Sequence, residues 1–207
     1  MALRTHDRMR EFELQSESAA RNAQLDPLTS VYNRDTLLSM LFRETDRVQR
    51  MKTLLSLILF GFDDFSSWSS RLGAGACDDL LCQVVGRVPR LLRSYDVLGR
   101  VGNDEFLVIL PGCGTSDAGM LAQRLRMDIF AEPLHTANEV VRLSACFGIA
   151  SSEGRSPVVV LREAEQALQS AKEVGPGSIA CFGNCTRHQQ AQISFLSFGS
   201  GDEPMAW

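Results

Sequence analysis

The sequence predicts an α+β fold in which helices flank a central sheet of five strands, mixed or antiparallel. The apolar run LLSLILF indicates a buried strand over residues 52–62. Gly102, Asn103 and Asp104 separate two further apolar segments, as expected for a β-hairpin, because Gly and Asn tolerate positive φ. Helical periodicity follows both the first strand and the hairpin. The resulting βαββαβ order predicts a sheet with helices on one side.

The remaining elements follow from the spacing of apolar residues and from turn residues. Asn33 is suited to cap a helix in which Leu37, Leu38, Leu41 and Phe42 recur at helical spacing. Further helices are predicted at residues 65–72, 77–92, 116–130 and 156–173, and further strands at residues 95–101, 105–110, 140–150 and 178–182.

The chain divides into three parts. Residues 5–24 are mostly polar and contain no Pro or Gly. This predicts a protruding linker helix within residues 1–25, which could pair two subunits as a homodimer. Residues 26–183 are predicted to form the domain. Residues 184–207 are expected to be a mobile tail.

Composition narrows the function classes. The net charge of the 207-residue chain is −4, so no nucleic-acid partner is expected, since such proteins usually present a basic face. No apolar run reaches the roughly 18 residues that a membrane helix needs. No signal peptide is recognisable, and a cytoplasmic location is therefore expected. Under that expectation Cys77, Cys82, Cys113 and Cys146 are predicted to be free thiols.

Three motifs occur in a fixed order along the chain. A D-x-L-T-x-x-x-N-R pattern runs from Asp26 to Arg34, R-V-G-N-D-E-F begins at Arg100, and A-K-x-x-G begins at Ala171. Together they resemble the signatures of GGDEF domains, the diguanylate cyclase family. The resemblance implies a five-stranded, palm-like sheet surrounded by helices. It also implies the condensation of two GTP molecules into cyclic di-GMP by two domains that meet head to head.

The resemblance assigns roles residue by residue. Two divalent cations, Mg²⁺ or Mn²⁺, would be held by Asp104 and Glu105. Glu105 and Arg100 match catalytic positions of the family. The GTP-binding residues implied by the match are Asp78, Lys172, Gly102 and Asn103.

The sequence also departs from the family pattern. Gly61 stands where the family has a metal-binding aspartate at the end of the first strand. The other departures are Ser66 for a lysine, Ser69 for a guanine-reading asparagine, Asn103 for a glycine, and Pro176 for an arginine. Since losing one preorganised group typically costs about 10²–10³ in rate, several losses predict impaired catalysis. Asp63 shares the face of position 61 but is expected about 6–7 Å further along the strand.

A second site is implied by Arg93 and Asp96, an R-x-x-D pattern at the position of the family's inhibitory product site. Arg124, on the following helix, matches an arginine that can complete it. The sequence therefore favours a degenerate domain that acts as a cyclic-di-GMP receptor. Two alternatives stay open: a diguanylate cyclase of low activity, and a protein-interaction module that docks a phosphodiesterase domain of the EAL or HD-GYP type.

Overall fold

The computed structural model describes residues 23–130, 132–136 and 139–183. Most of the predicted linker helix and the whole predicted tail lie outside these residues. The described helices are α1 (Arg34–Met51), α2 (Phe65–Leu72), α3 (Ala74–Val85), α4 (Thr115–Asp128) and α5 (Pro157–Val174). The strands are β1 (Leu55–Phe62), β2 (Val97–Arg100), β3 (Glu105–Pro111), β4 (Leu134–His135), β5 (Val140–Val141), β6 (Ala145–Ser152) and β7 (Ile179–Cys181).

The predicted five-stranded mixed sheet is confirmed. Its strand order is β2-β3-β1-β6-β7, with β1 at the centre. β1 pairs antiparallel with β3 and β6, β2 pairs antiparallel with β3, and β7 runs parallel to β6. Gly61, near the end of β1, lies opposite Glu105 on β3 and Cys146 on β6.

Helices cover both faces of the sheet, so the expectation of helices on one side is wrong. Every residue of β1 is buried, because alternate side chains enter two separate cores. Ile58, Phe60 and Phe62 pack with residues of α3 and α4. Residues 55, 57 and 59 pack instead with residues of α1 and α5. The apolar run of β1, which only Ser56 interrupts with a polar side chain, is therefore typical of a strand buried on both faces.

Two predicted elements have different limits in the structure. The helix predicted at 77–92 ends at Val85, and a 3₁₀ turn follows at Val88–Arg90, where Pro89 cannot donate a backbone hydrogen bond. The strand predicted at 140–150 is divided. Val140–Val141 pairs with Leu134–His135 in a separate two-stranded hairpin, and the central sheet receives only Ala145–Ser152.

One glycine sets how closely α5 approaches the sheet. A Cβ at Gly148 of β6 would lie 2.2 Å from the Leu168 nitrogen and 2.3 Å from the Ala164 oxygen, both backbone atoms of α5. Only a residue without a side chain permits this contact. The close packing fixes α5, and with it Lys172, against the ends of β1 and β3.

The prediction of free thiols is confirmed for Cys77, Cys82, Cys113 and Cys146. Within the described ranges, no helix combines the length and the apolar character needed to cross a membrane.

Candidate functional site

The turn between β2 and β3 is held together by the side chain of Arg100. Its Nε donates to the Gly102 carbonyl at 3.1 Å and its Nη2 to the Asn103 carbonyl at 2.5 Å. Neither Gly102 nor Asn103 has positive φ, contrary to the expectation from turn chemistry. Asn103 therefore costs no backbone strain, and its effect lies in the side chain that it adds to the site.

Residues of the first motif also bind this turn. Arg100 Nη1 lies 3.2 Å from Asp26 Oδ1, which also accepts hydrogen bonds from the Thr29 amide and hydroxyl. Burial acts to raise the pKa of Asp26, but the hydrogen bonds from Thr29 and Arg100 outweigh it and lower that pKa. Arg34 donates to the Val101 carbonyl at 3.1 Å. Asn33 caps α1 as predicted, accepting from the Thr36 amide at 3.0 Å.

Glu105 is already paired with a cation of the chain itself. Lys172 Nζ, from α5, lies 2.9 Å from Glu105 Oε1. The pair lies beside Gly61, since a Cβ built there would be 3.3 Å from Glu105 Cγ and 3.4 Å from Lys172 Nζ. Any side chain at position 61, including the aspartate of the family pattern, would therefore contact both Glu105 and Lys172.

Asp104 differs from its neighbour in its electrostatics. Burial raises the pKa of Asp104, the adjacent Glu105 carboxylate raises it further, and Lys172 opposes both. The Lys172 ammonium, and to a smaller extent the Arg100 guanidinium, therefore favour the charged form of Asp104.

The Asp63 side chain binds groups from two other segments of the chain. Its Oδ2 accepts from the Ser144 hydroxyl at 2.6 Å and from the Gly177 amide at 2.8 Å. These bonds fix the Gly175–Gly177 loop that follows α5, in which both glycines have positive φ. Asp64, next in the chain, makes no capping hydrogen bond with its side chain although it is the N-cap residue of α2.

A cleft of about 680 Å³ lies between this hairpin, the end of β1 and the start of α2. Four of the five departures from the family pattern line it, namely Ser66, Ser69, Asn103 and Pro176, and Gly61 lies next to Phe62 of its wall. The charged lining residues are Asp63, Asp64, Asp104 and Lys172. The departures are therefore gathered at one place, the cleft beside the hairpin.

The donor set does not fit a site for two divalent cations. Such a site needs several carboxylates that converge on the metals. Among the described residues no group of three or more His, Cys, Asp or Glu side chains is arranged to hold a metal ion. Asp104 remains, Glu105 is paired with Lys172, Asp63 is engaged with Ser144 and Gly177, and position 61 has no side chain.

A second cleft, of about 440 Å³, contains the R-x-x-D pattern. Arg93, Ser94 and Asp96 line it together with apolar residues that include Pro89, Leu92 and Leu98. Asp96 Oδ2 accepts from the Arg93 amide at 2.7 Å, which closes a tight turn. The guanidinium of Arg93 is exposed and donates to the Tyr95 hydroxyl at 3.0 Å. Burial raises the pKa of Asp96, although the Arg93 amide opposes the shift.

Two predicted site residues lie apart from these clefts. Arg124 is exposed on α4 and does not line the cleft that contains Arg93 and Asp96. Asp78 is exposed on α3 and is not among the residues that line the larger cleft. The structure brings together Asp104, Glu105, Lys172, Gly102 and Asn103 at the hairpin, and Arg93 with Asp96 at the second cleft.

Three residues that position these groups, Asp26, Asp63 and Ser144, are not identified as such by the sequence. Asp26 is the first residue of the D-x-L-T-x-x-x-N-R motif, so the motif could have indicated that Asp26 contributes to the site. For Asp63 the sequence indicates only that it shares the face of position 61, and no sequence pattern links it to Ser144 or to Gly177, 114 positions away.

Comparison with known proteins agrees with the family resemblance seen in the sequence. The sequence profile described as "Diguanylate cyclase, GGDEF domain" matches residues 23–178. Over 165 residues the chain is 33% identical to the diguanylate cyclase DgcP of Pseudomonas aeruginosa, covering 79% of this chain and 25% of DgcP. Over 158 residues it is 27% identical to the response regulator PleD of Caulobacter vibrioides, covering 74% and 35%. The chain thus spans only about a quarter to a third of these relatives.

Solved structures share the fold. The crystal structure of the diguanylate cyclase SiaD in complex with its activator SiaC, from Pseudomonas aeruginosa, has a TM-score of 0.75 and 27% identity, covering 87% of this chain and 70% of SiaD. The GGDEF domain of DgcB from Caulobacter crescentus, crystallised with c-di-GMP, has a TM-score of 0.75 and covers 78% of this chain and 94% of that one. At 22% identity the DgcB likeness concerns the fold alone.

Proposed function

Because the chain belongs to the GGDEF family of diguanylate cyclase domains, we propose that it is a regulatory domain of cyclic-di-GMP signalling that binds cyclic di-GMP and does not synthesise it. The observation that carries this proposal is the ion pair between Lys172 and Glu105 beside the empty position at Gly61. An intact reaction needs cations at the hairpin acids to activate the hydroxyl and to neutralise the phosphates. Here Glu105 is paired with Lys172, and Gly61 supplies no third carboxylate.

Arg100 has a positioning role in this proposal. Its Nε and both Nη atoms donate to Asp26, Gly102 and Asn103. The guanidinium shapes the turn from within its own chain, and a substrate phosphate would have to compete for those donors.

The binding half of the proposal rests on the cleft at Arg93 and Asp96. An exposed guanidinium suits bidentate contact with a phosphate or with the Hoogsteen edge of guanine, and a carboxylate suits the guanine Watson–Crick edge. Apolar walls beside these groups suit a purine ring. The Arg93 amide donates only to Oδ2 of Asp96, so this bond does not use the other carboxylate oxygen.

Titration calorimetry with cyclic di-GMP tests this half. We expect micromolar or tighter binding by the purified domain and loss of binding in Arg93→Ala. Arg90→Ala is the matched control, because Arg90 is exposed on the neighbouring 3₁₀ turn and its side chain forms no ion pair with a described residue. Tyr95→Phe releases the Arg93 guanidinium from the Tyr95 hydroxyl and should bind at least as tightly as the wild type. Absence of binding by the wild type, or equal loss in Arg90→Ala, contradicts the receptor role.

Two alternatives have distinct outcomes. A low-activity cyclase would convert GTP in the presence of Mg²⁺ or Mn²⁺. A protein-docking module would bind neither nucleotide and would instead form a complex with a phosphodiesterase domain of the EAL or HD-GYP type. The relative SiaD was crystallised in complex with a protein activator, which supports docking as a use of this fold. The predicted homodimer through residues 5–24 remains a prediction that sedimentation of the full chain would check.

A further inference from the structure

The Lys172–Glu105 pair occupies the space where the hairpin acids would meet a metal ion. Glu105 lies directly opposite Gly61 in the β1–β3 register. The side chains of Glu105 and Lys172 occupy the space beside Gly61. A Cβ added at Gly61 would lie 3.3 Å from Glu105 Cγ and 3.4 Å from Lys172 Nζ. Since an aspartate carboxyl group would extend beyond that Cβ, it would meet the ammonium and the Glu105 stem together. The missing side chain and the ion pair are thus two parts of one arrangement.

We propose that Lys172 is a built-in cation that replaces a divalent metal at the hairpin acids. Lys172 is the one basic residue among the described residues that line the cleft, which also holds Asp63, Asp64 and Asp104. Its ammonium lies 2.9 Å from Glu105 and lines the same cleft as Asp104. The hairpin therefore keeps its geometry without Mg²⁺ or Mn²⁺, and the cleft does not take up these ions.

Geometry and charge make the ammonium and a metal ion mutually exclusive. A Mg²⁺ ion bound to Glu105 would lie about 2.0–2.1 Å from its oxygen. The ammonium, already in hydrogen-bond contact with that carboxylate, would then be within a few ångströms of a doubly charged ion. A lysine supplies one positive charge and cannot coordinate a phosphate and a hydroxyl together as a metal does. This inference concerns the larger cleft and does not depend on whether cyclic di-GMP binds at Arg93.

Thermal unfolding and calorimetric titration with MnCl₂ alone test the proposal on the full chain. The wild type is expected to show the same Tm in EDTA and in about 1 mM Mn²⁺, and no heat of Mn²⁺ binding. Lys172→Met removes the ammonium that is paired with Glu105, so its Tm in EDTA should fall by about 2–4 °C. Mn²⁺ should restore that Tm and bind with a Kd of about 10⁻⁴–10⁻³ M, as at weak oxygen-ligand sites.

Two controls isolate the role of the ammonium. Lys52→Met removes the chain's other lysine and should gain no Mn²⁺ response. Lys52 follows α1 and precedes the start of β1, whereas Gly61 lies near the other end of that strand. Lys172→Arg keeps a cation and should also gain none. Binding of Mn²⁺ by the wild type as tightly as by Lys172→Met overturns the proposal, and so does a Lys172→Met variant that folds but gains no affinity. If Lys172→Met does not fold, the Mn²⁺ titration of the wild type decides. Binding of Mn²⁺ by the wild type overturns the proposal. Absence of Mn²⁺ binding in both the wild type and Lys172→Arg supports it.

Discussion

The guanidinium of Arg100 lies 3.2 Å from the carboxylate of Asp26, although the two residues are 74 positions apart in the chain. This contact joins the first motif of the sequence to the hairpin motif. The same guanidinium holds two carbonyl groups of the turn, so Asp26 orients the side chain that shapes the site. Arg34 adds a second bond from the first motif to the hairpin, at the Val101 carbonyl.

Removing the Arg100 side chain should destabilise the domain. Arg100→Ala leaves the partly buried Asp26 carboxylate without its ion-pair partner and two turn carbonyls without a donor. We expect a loss of about 1–3 kcal/mol in the free energy of unfolding, measured by urea denaturation. Arg90→Ala, at an exposed site, should change it by less than about 0.5 kcal/mol. Equal effects of the two substitutions would show that the Arg100 contacts do not stabilise the fold.

The Asp26 contacts should make stability depend on pH. Burial opposes the shift, but the hydrogen bonds from Thr29 and Arg100 lower the pKa of Asp26 in the folded state below its ordinary value. A lowered carboxyl pKa stabilises the fold at pH values above the unfolded-state pKa, and that stabilisation disappears as the pH falls through the folded-state value. The difference in unfolding free energy between the wild type and Asp26→Asn should therefore be largest near neutral pH and shrink below about pH 4. A difference that stays constant from about pH 7 to about pH 3 would argue against this linkage.

The contact between β6 and α5 predicts a strict requirement for glycine. Gly148→Ala forces its Cβ against backbone atoms of α5 at 2.2 and 2.3 Å, which the helix can relieve only by moving away. We expect at least about 2–3 kcal/mol of destabilisation, at the upper end of overpacking effects. Gly119→Ala is the control, because its Cβ meets nothing within 4 Å on α4 and should stabilise the helix slightly. A neutral Gly148→Ala would show that α5 does not pack against β6 as closely as these distances indicate.

Asp63 should hold the loop after α5 in place. Asp63→Ala removes the acceptor for the Ser144 hydroxyl and the Gly177 amide, so the Gly177 amide should exchange with solvent faster. Hydrogen exchange followed by NMR measures this, and a loss of about 1–3 kcal/mol in stability should accompany it. Asp64→Asn is the adjacent control, because the Asp64 side chain makes no capping bond. Unchanged exchange at Gly177 in Asp63→Ala would contradict the assigned role.

Much of the fold was predictable because strong local signals agree with the tertiary structure. The apolar run of β1 and the Asn33 cap are local features whose structures match the sequence pattern. The hairpin also forms where its turn residues predict it, although Gly102 and Asn103 do not have positive φ. The element order predicts helices on one side only, because an apolar strand does not reveal which helix covers which face. The family resemblance, which implies a sheet surrounded by helices, agrees better with the structure. The β4–β5 hairpin was missed because its strands are two residues long, and Val140 and Val141 continue an apolar pattern into β6.

The candidate site was predictable to the extent that motifs mark it. Asp104, Glu105 and Lys172 do lie together, as their motifs predict. The pairing of Glu105 with Lys172 was not predicted, since it depends on the register that places Glu105 opposite Gly61 and on the approach of α5 at Gly148. The engagement of Asp63 with Ser144 and Gly177 likewise depends on contacts between segments far apart in sequence.

GTP turnover tests the proposed loss of catalysis most directly. The purified domain is incubated with GTP and either Mg²⁺ or Mn²⁺, and cyclic di-GMP is quantified by chromatography, with Glu105→Gln as the background. If the domain acts by binding alone, the wild type forms no more cyclic di-GMP than Glu105→Gln with either metal. Sustained product formation by the wild type, absent in Glu105→Gln, would contradict the proposed function and identify the domain as a working cyclase.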